Sequence, residues 1–205
     1  PLISEDIKKM FEILDEDGIE PWVPNKPILM VLQGQGRFKM ARERPEIHRR
    51  NPNKIETRFV AYSSIVNGAK GIWWWGTADL LQLRDEKGRL TQDGEFWEII
   101  KMVSREIDEL KEVFTTDRIL KGFSTSDDRL ESALFNYNDT NYLIVTNKSN
   151  QSIMHAKIKA DDCNWKKKGK SDISVMFEQR KVVSEDGVSW EDSFAPWDVH
   201  IYVDK

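Results

Sequence analysis

The sequence has one cysteine, three histidines and no long hydrophobic run, and each shortage excludes a class of protein. Cys163 alone cannot form an internal disulfide framework, and without a cluster of histidine and cysteine a structural zinc site has no support. No apolar stretch approaches the roughly 20 residues that cross a bilayer, and no signal peptide opens the chain. We therefore expect no metal, no other cofactor and no membrane association.

An excess of charge of one sign is also missing. The 205 residues include 31 Lys and Arg and 35 Asp and Glu, so the net charge is only -4 and no basic patch predicts nucleic-acid binding. With 39% hydrophobic and 32% charged residues, the composition is typical of a globular protein. A secreted and a cytoplasmic location both fit it. Pro1 is not a usual translation start, so we expect that an N-terminal portion has been removed.

The first half of the chain alternates helical and strand patterns. A capped amphipathic helix is predicted over residues 4–18, followed by ILMVLQ at residues 28–33. Such a continuous apolar run is typical of a strand buried on both faces, as in parallel sheets. Asn51 and Pro52 predict the start of a second helix, as its N-cap and its first residue.

This second helix is predicted to end near Gly68 and to lead into GIWWW at residues 71–75, a second buried strand. We expect Glu56 and Arg58, early in the helix, to form an ion pair or to bond to a nearby loop. A further helix is predicted by apolar residues from Phe96 to Phe114, spaced at three and four, and it ends near Thr115.

From about residue 125 the apolar pattern changes to that of short strands separated by polar turns. Six such runs, which together indicate an antiparallel sandwich, are ALFNYN, YLIVTN, SIMHAKIK, ISVMFEQ, KVVSEDG and VHIYVD. The predicted fold class is therefore α/β plus all-β, with residues 1–120 as the first domain and residues 121–205 as the second.

Two parallel strands and their helices do not make a complete sheet, because each edge strand would present unpaired backbone groups. Alternating buried strands and helices are the pattern of the (β/α)8 barrel, which takes about 250 residues when complete. We therefore interpret residues 1–120 as the last βα units of an incomplete (β/α)8 barrel.

Four segments of the sequence carry a family resemblance. They are KPILMVLQGQG, ETRFVAYSSIVNGAKGIWWWG, FWEIIKMVSREIDELKEVF and DGVSWEDSFAPWDVHIYVD. Together they resemble the last barrel units and the C-terminal β-sandwich of a glycoside hydrolase of the clan A type, close to the cellulase-like and galactosidase-like barrels. The resemblance implies that ILMVLQ is barrel strand seven, that GIWWW is strand eight, and that the missing N-terminal barrel portion and a carbohydrate substrate are the partners.

Glycoside hydrolysis usually needs two carboxyl groups that flank one sugar. The resemblance implies an acid/base residue after strand four, which this chain lacks, and a nucleophile at the end of strand seven. That end reads QGQG at residues 33–36 and has no carboxylate. The catalytic residues therefore stay unknown, and the acidic candidates within the chain are Glu43, Glu46 and Asp79.

Four residues are candidates for substrate binding. The amides of Gln33 and Gln35 can donate to and accept from sugar hydroxyls, unless they bond to neighbouring backbone. Trp73 and Trp75 share one face of their strand and Trp74 the other, so one set should face the barrel lumen and the other the helices. A lumen-facing Trp75 would stack on a sugar, whereas the alternative is that all three rings are bulky core.

The sequence thus predicts the C-terminal fragment of a carbohydrate-active enzyme that hydrolyses O-glycosidic bonds, with its main carboxylates upstream, so that this chain alone is inactive. The alternative is a non-catalytic carbohydrate-binding or interaction module. A third possibility is a homodimer in which two half barrels cover each other's edges.

Overall fold

The computed structural model describes residues 28–34, 50–76, 83–160, 165 and 169–204. The helices of this part are α1 (Lys54–Val66), α2 (Gln92–Glu109) and α3 (Lys111–Thr115). The strands are β1 (Leu29–Gln33), β2 (Gly71–Trp75), β3 (Ser124–Thr125), β4 (Leu130–Tyr137), β5 (Thr140–Asn147), β6 (Ile153–Lys159), β7 (Ser171–Val175), β8 (Arg180–Ser184), β9 (Ser189–Phe194) and β10 (Val199–Val203). None of these helices combines the length and the apolar character that a membrane span requires.

Strands β1 and β2 form a parallel pair connected through α1, as the sequence predicts. Leu29 lies opposite Gly71 at one end of the pair and Gln33 lies opposite Trp75 at the other. The ladder continues beyond the strands, since the backbone N–H of Gly34 donates to the carbonyl of Trp75 at 2.8 Å. Among the described residues no further strand joins this sheet, so both outer edges of the pair are open there.

Helix α1 begins two residues later than the sequence prediction. Asn53 is the N-cap: its side chain accepts from the N–H of Glu56 at 2.9 Å, and the Glu56 carboxylate accepts from the N–H of Asn53 at 2.9 Å. This capping box satisfies two N–H groups that a helix start leaves without partners. The prediction of Asn51 as N-cap and Pro52 as first helical residue is therefore wrong. The Asn51 amide instead donates to the carbonyl of Gln92 at 3.2 Å and joins the starts of α1 and α2.

The predicted stripe of α2 is present but divided between two helices. The helix starts after Thr91, whose hydroxyl accepts from the N–H of Gly94 at 3.1 Å. Its regular part stops at Glu109, and Leu110 separates it from α3, which ends at the predicted Thr115. Leu110 is nevertheless buried, so the apolar stripe continues across the break.

The second half of the chain consists of two antiparallel sheets. One has five strands in the order β4-β5-β10-β7-β8, and the other has three in the order β3-β6-β9. Strand β9 was not predicted, because its sequence SWEDSF is mostly polar and only Trp190 and Phe194 are buried. The predicted strand ISVMFEQ is too long, since it ends at Val175 and continues as a turn.

Three apolar cores lie between the described layers. The first lies between the parallel pair and the helices α1 and α2, and its buried residues are Leu32, Ala61 and Val103. A second core, which includes Phe59 and Ile201, joins the helices to the five-stranded sheet. The third fills the space between the two antiparallel sheets. The helices thus have an apolar partner on both sides, whereas the described residues cover the parallel pair on a single side.

Candidate functional site

The outer face of the parallel pair exposes large apolar side chains. Trp73 is 66% exposed and Trp75 is 53% exposed, and beside them on β1 Val31 is 59% and Leu29 is 61% exposed. These residues alternate with buried or half-buried ones, so they occupy one face. Contiguous exposed apolar surface of this kind marks binding sites and interfaces. We call these four residues together with Gln33 the outer sheet face.

The inner face of the same strands packs on the helices. Leu32 is 4% exposed, and Ile72 and Trp74 are half-buried against Ala61 and Val103. The indole N–H of Trp74 donates to the hydroxyl of Ser104 on α2 at 3.1 Å. The predicted division of the three tryptophans is therefore confirmed, with Trp74 on the helix side and its two neighbours on the other.

The register of the pair places an amide beside an indole at the carboxyl end of the sheet. Gln33 and Trp75 are partners in the ladder, and neighbouring strands lie about 4.8 Å apart. Val31 and Trp73 are partners one layer below. At the opposite end Gly71 leaves room for the Leu29 side chain, which occupies the place where a Cβ of residue 71 would lie. The outer face is therefore apolar along most of its length, with an amide and an indole at its carboxyl end.

A cleft of about 480 Å³ lies along the open side of β1, between this strand and α1. Its polar side chains include Gln33, Arg50 and Glu56. Arg50 donates to both oxygens of the Glu56 carboxylate, at 2.6 and 2.5 Å. The hydrogen bond from Arg50 holds the pKa of Glu56 below its ordinary value, although partial burial opposes this. Held by Arg50 and bonded to the N–H of Asn53, Glu56 is a structural carboxylate at the start of α1.

Glu56 and Arg58 are each ion-paired, but with other residues and not with each other. Glu56 is held by Arg50, and Arg58 pairs with Glu106 on α2 at 2.7 Å. Arg58 also donates to the carbonyl of Val199 on β10 at 2.5 Å. The capping pattern of Asn53 and Glu56 could have been recognised in the sequence, whereas the contacts between helices could not.

Of the predicted site residues, Gln33, Trp73 and Trp75 lie together on the outer sheet face. Gln35, Glu43, Glu46 and Asp79 lie outside the described residues. Within the described ranges no three or more His, Cys, Asp or Glu side chains are grouped so that they could hold a metal ion. The arrangement can bind a flat apolar surface that carries polar groups, and the described part of the outer sheet face has no carboxylate that could cleave a bond.

Known structures share this fold. The α-amylase of Geobacillus thermoleovorans, solved with acarbose, aligns with 96% of this chain at a TM-score of 0.55 and 14% identity. An Anoxybacillus α-amylase, described as a new glycosyl hydrolase subclass, aligns with 96% at a TM-score of 0.52 and 15% identity. A variant of AmyP in complex with maltotriose aligns with 74% at a TM-score of 0.52 and 7% identity.

At these identities the likeness concerns the fold, which is like that of glycoside hydrolases. The chain covers 42% of the first neighbour, 41% of the second and 35% of the third, and so spans less than half of each. No protein-family model matches the sequence. No curated protein matches it either.

Proposed function

We propose that this chain is the C-terminal portion of a carbohydrate-active enzyme that hydrolyses O-glycosidic bonds, with its main catalytic carboxylates upstream. In this proposal residues 1–120 are the end of a (β/α)8 barrel and residues 121–205 are its β-sandwich domain. The observation that carries the proposal is the outer sheet face: a parallel pair, packed on helices by one face, presents Trp73 and Trp75 on the other.

A barrel strand has this arrangement. In a (β/α)8 barrel the helices form the outer ring, and side chains of alternate residues fill the lumen in layers. Leu32 and Trp74 contact helices as outward-pointing residues of a barrel strand would, and Val31 and Trp73, on the opposite face, would then point into the lumen. Further parallel strands would pair with the open edges of β1 and β2 and cover this face.

The carboxyl end of the pair is where the substrate would bind, because barrel active sites form at the carboxyl ends of the strands. Trp75 stands at that end with Gln33 beside it. An indole face stacks on the apolar CH face of a pyranose ring, and an amide can donate to and accept from its hydroxyls. These two residues would hold a sugar, and the carboxylates of other strands would cleave it.

The experiment compares two proteins on the same oligosaccharides, maltotriose, cellotriose and p-nitrophenyl glycosides. One is this chain and the other is the product of the whole open reading frame. We expect hydrolysis by the longer protein and none by the chain, because glycoside hydrolysis needs a flanking pair of carboxyl groups. Activity of the chain alone would overturn the proposal, and so would an upstream region without six further strand–helix units.

A second candidate, a non-catalytic carbohydrate-binding or interaction module, is favoured by the ends of β1 and β2. The described residues there are Gln33, Gly34, Trp75 and Gly76, and none is acidic. Such a module would bind an oligosaccharide without cleaving it in either protein. If the outer sheet face instead pairs two copies of the chain, light scattering after size exclusion would give the mass of a dimer.

A further inference from the structure

A second cleft, of about 220 Å³, lies between the helices and the β-sandwich. It is formed by the first half of α1, by α2, by the turn between β7 and β8 and by the start of β10. Lys54, Arg58 and Glu106 line its helix side, and Phe177 and Trp197 line its sandwich side. We call it the junction cleft. No residue of the outer sheet face lines it, so a ligand bound in the junction cleft is independent of the function proposed for that face.

Two aromatic residues of the junction cleft have unusual backbone conformations. Trp197 has φ of 62° and Phe177 has φ of 67°, in the left-handed region that bulky side chains seldom adopt. Both side chains are half-buried, and the Trp197 ring packs against Phe59 with centroids 5.1 Å apart. Strained backbone of this kind collects at functional sites, where the surrounding structure holds it in place. The strain here is on the two residues that bring large apolar rings to the cleft.

The guanidinium of Arg58 supplies a donor that is not used within the described part of the chain. Its Nε donates to Glu106 at 2.7 Å and its Nη1 to the carbonyl of Val199 at 2.5 Å. Its Nη2 is buried and has no hydrogen-bond partner there, while the Tyr62 ring lies 5.1 Å from the guanidinium carbon. A buried donor without a protein partner can be satisfied by an acceptor on a ligand.

Most charged groups of the junction cleft are paired, and the Lys54 side chain is exposed at its rim. Glu106 is paired with Arg58, and Glu178 accepts from Arg180 at 2.7 Å and lies 2.6 Å from the His200 ring. Because these groups already satisfy one another, they offer little net charge to attract an anion or a cation. The composition of the walls therefore suits a neutral molecule that carries many hydroxyl groups and one flat apolar face.

We propose that the junction cleft binds one ring of a neutral oligosaccharide, stacked on Trp197 and Phe177. The volume is below the roughly 300–1,000 Å³ of sites for drug-sized ligands, so one ring is the appropriate size. A groove of about 720 Å³ shares Lys54, Glu106 and Phe177 with the cleft and adds Arg105 and Gln179, among others. The groove is the path along which the remaining rings of the oligosaccharide continue.

The test titrates the ¹⁵N-labelled chain with maltotriose and, separately, with cellotriose, and monitors the indole N–H signals of its eight tryptophans. We expect a saturable shift of the Trp197 signal with at least one of the two sugars. The variant Trp197→Asn removes the ring and keeps a residue that tolerates the left-handed conformation. Its affinity, measured by calorimetry, should fall roughly tenfold, as for the loss of an aromatic anchor.

Two further variants keep the test decisive if Trp197→Asn folds poorly. Lys54→Met retains the aliphatic stem of an exposed side chain and should weaken binding several-fold by removing its ammonium donor. Trp75→Ala changes the outer sheet face alone and should leave the Trp197 shift unaltered. The proposal is wrong if neither sugar shifts the Trp197 signal in a saturable way, or if Trp75→Ala abolishes the shift while Lys54→Met leaves it intact.

Discussion

Strands β2 and β10 have the same length and a similar apolar character but very different surroundings. β2 reads GIWWW and β10 reads VHIYV. Every residue of β10 is buried, because its Ile201 side contacts the helices and its Tyr202 side lies within the sandwich. On β2 the described part of the chain covers the Trp74 side alone, and Trp73 is 66% exposed.

The difference shows that an apolar strand sequence indicates which faces of a strand can be buried. The neighbouring layers determine which of those faces are buried. The second face of β10 is buried by this chain itself, since α1, α2 and α3 pack on the five-stranded sheet. For β2 the described residues supply no equivalent layer. Burying one large apolar side chain contributes roughly 1.5–3 kcal/mol. A partner that covered the two exposed tryptophans would therefore gain considerable free energy of binding. Variants at β2, at β10 and at the groups that pack on them test this contrast.

The largest effect is expected where the helices are joined to β10. Arg58 and Glu106 are 11% and 12% exposed, so Arg58→Leu would leave a buried carboxylate without its cation. We expect the free energy of unfolding, measured in urea, to fall by about 3–5 kcal/mol. The double variant Arg58→Leu with Glu106→Leu should recover part of this loss. A loss in the double variant equal to the sum of the losses of the two single variants would show that the pair is not coupled.

A somewhat smaller loss is expected for a purely apolar deletion on β10. Ile201 is fully buried in the core between the helices and the five-stranded sheet. Ile201→Ala should lower the free energy of unfolding by about 2–5 kcal/mol, through lost transfer energy and the cavity that remains. Met154→Ala, at a position that is 67% exposed, is the control and should change it little. A similar small change in both variants would contradict the two-sided burial of β10.

The next effect depends on pH and concerns the turn that packs on β10. Burial raises the pKa of the Glu178 carboxyl, but hydrogen bonds from His200 and Arg180 outweigh it and the net pKa lies below the ordinary value. A lowered folded-state pKa contributes stability above the unfolded-state pKa, and this contribution is lost as the pH falls through the folded-state value. Unfolding in urea at several pH values between about 7 and 3 should therefore show a weaker pH dependence for Glu178→Gln than for the original chain. Parallel curves for the two proteins would contradict this role.

The smallest effect on stability is expected on the outer sheet face. Trp73→Ala should change the free energy of unfolding by no more than about 0.5 kcal/mol, as is usual for exposed positions. Trp74→Ala is the matched comparison on the same strand, because it removes a half-buried ring and the hydrogen bond to Ser104, and it should cost clearly more. A large loss for Trp73→Ala would mean that its ring belongs to the core of this chain.

The sequence predicts the elements whose pattern is local. The periodicity of α2, the parallel pairing of β1 and β2 and the alternation of the three tryptophans are present in the structure. The expected burial of both strands on both faces is wrong, since Val31 is 59% and Trp73 is 66% exposed. The start of α1 was missed because Asn51 and Pro52 imitate a helix start, while the true cap depends on the reciprocal bonds of Asn53 and Glu56. Strand β9 was missed because its burial comes from pairing with β6 and not from its own composition.

Less of the site than of the fold can be predicted from the sequence. Gln33, Trp73 and Trp75 could be grouped because strand alternation and parallel register arise from the chain itself. The partners of Arg58 lie 48 and 141 residues further along the chain, and no local sequence pattern predicts such contacts. The placing of Gln35, Glu43, Glu46 and Asp79 in the site stays a prediction.

The function of the outer sheet face is tested most directly by the kinetics of Trp75→Ala in the product of the whole open reading frame. Our account predicts hydrolysis of maltotriose or cellotriose by the original protein. In the variant kcat/KM should be lower by roughly tenfold or more, because a ring that contacts the sugar is removed, while thermal unfolding is unchanged. An unaltered kcat/KM, or no hydrolysis of either sugar by the original protein, would contradict it.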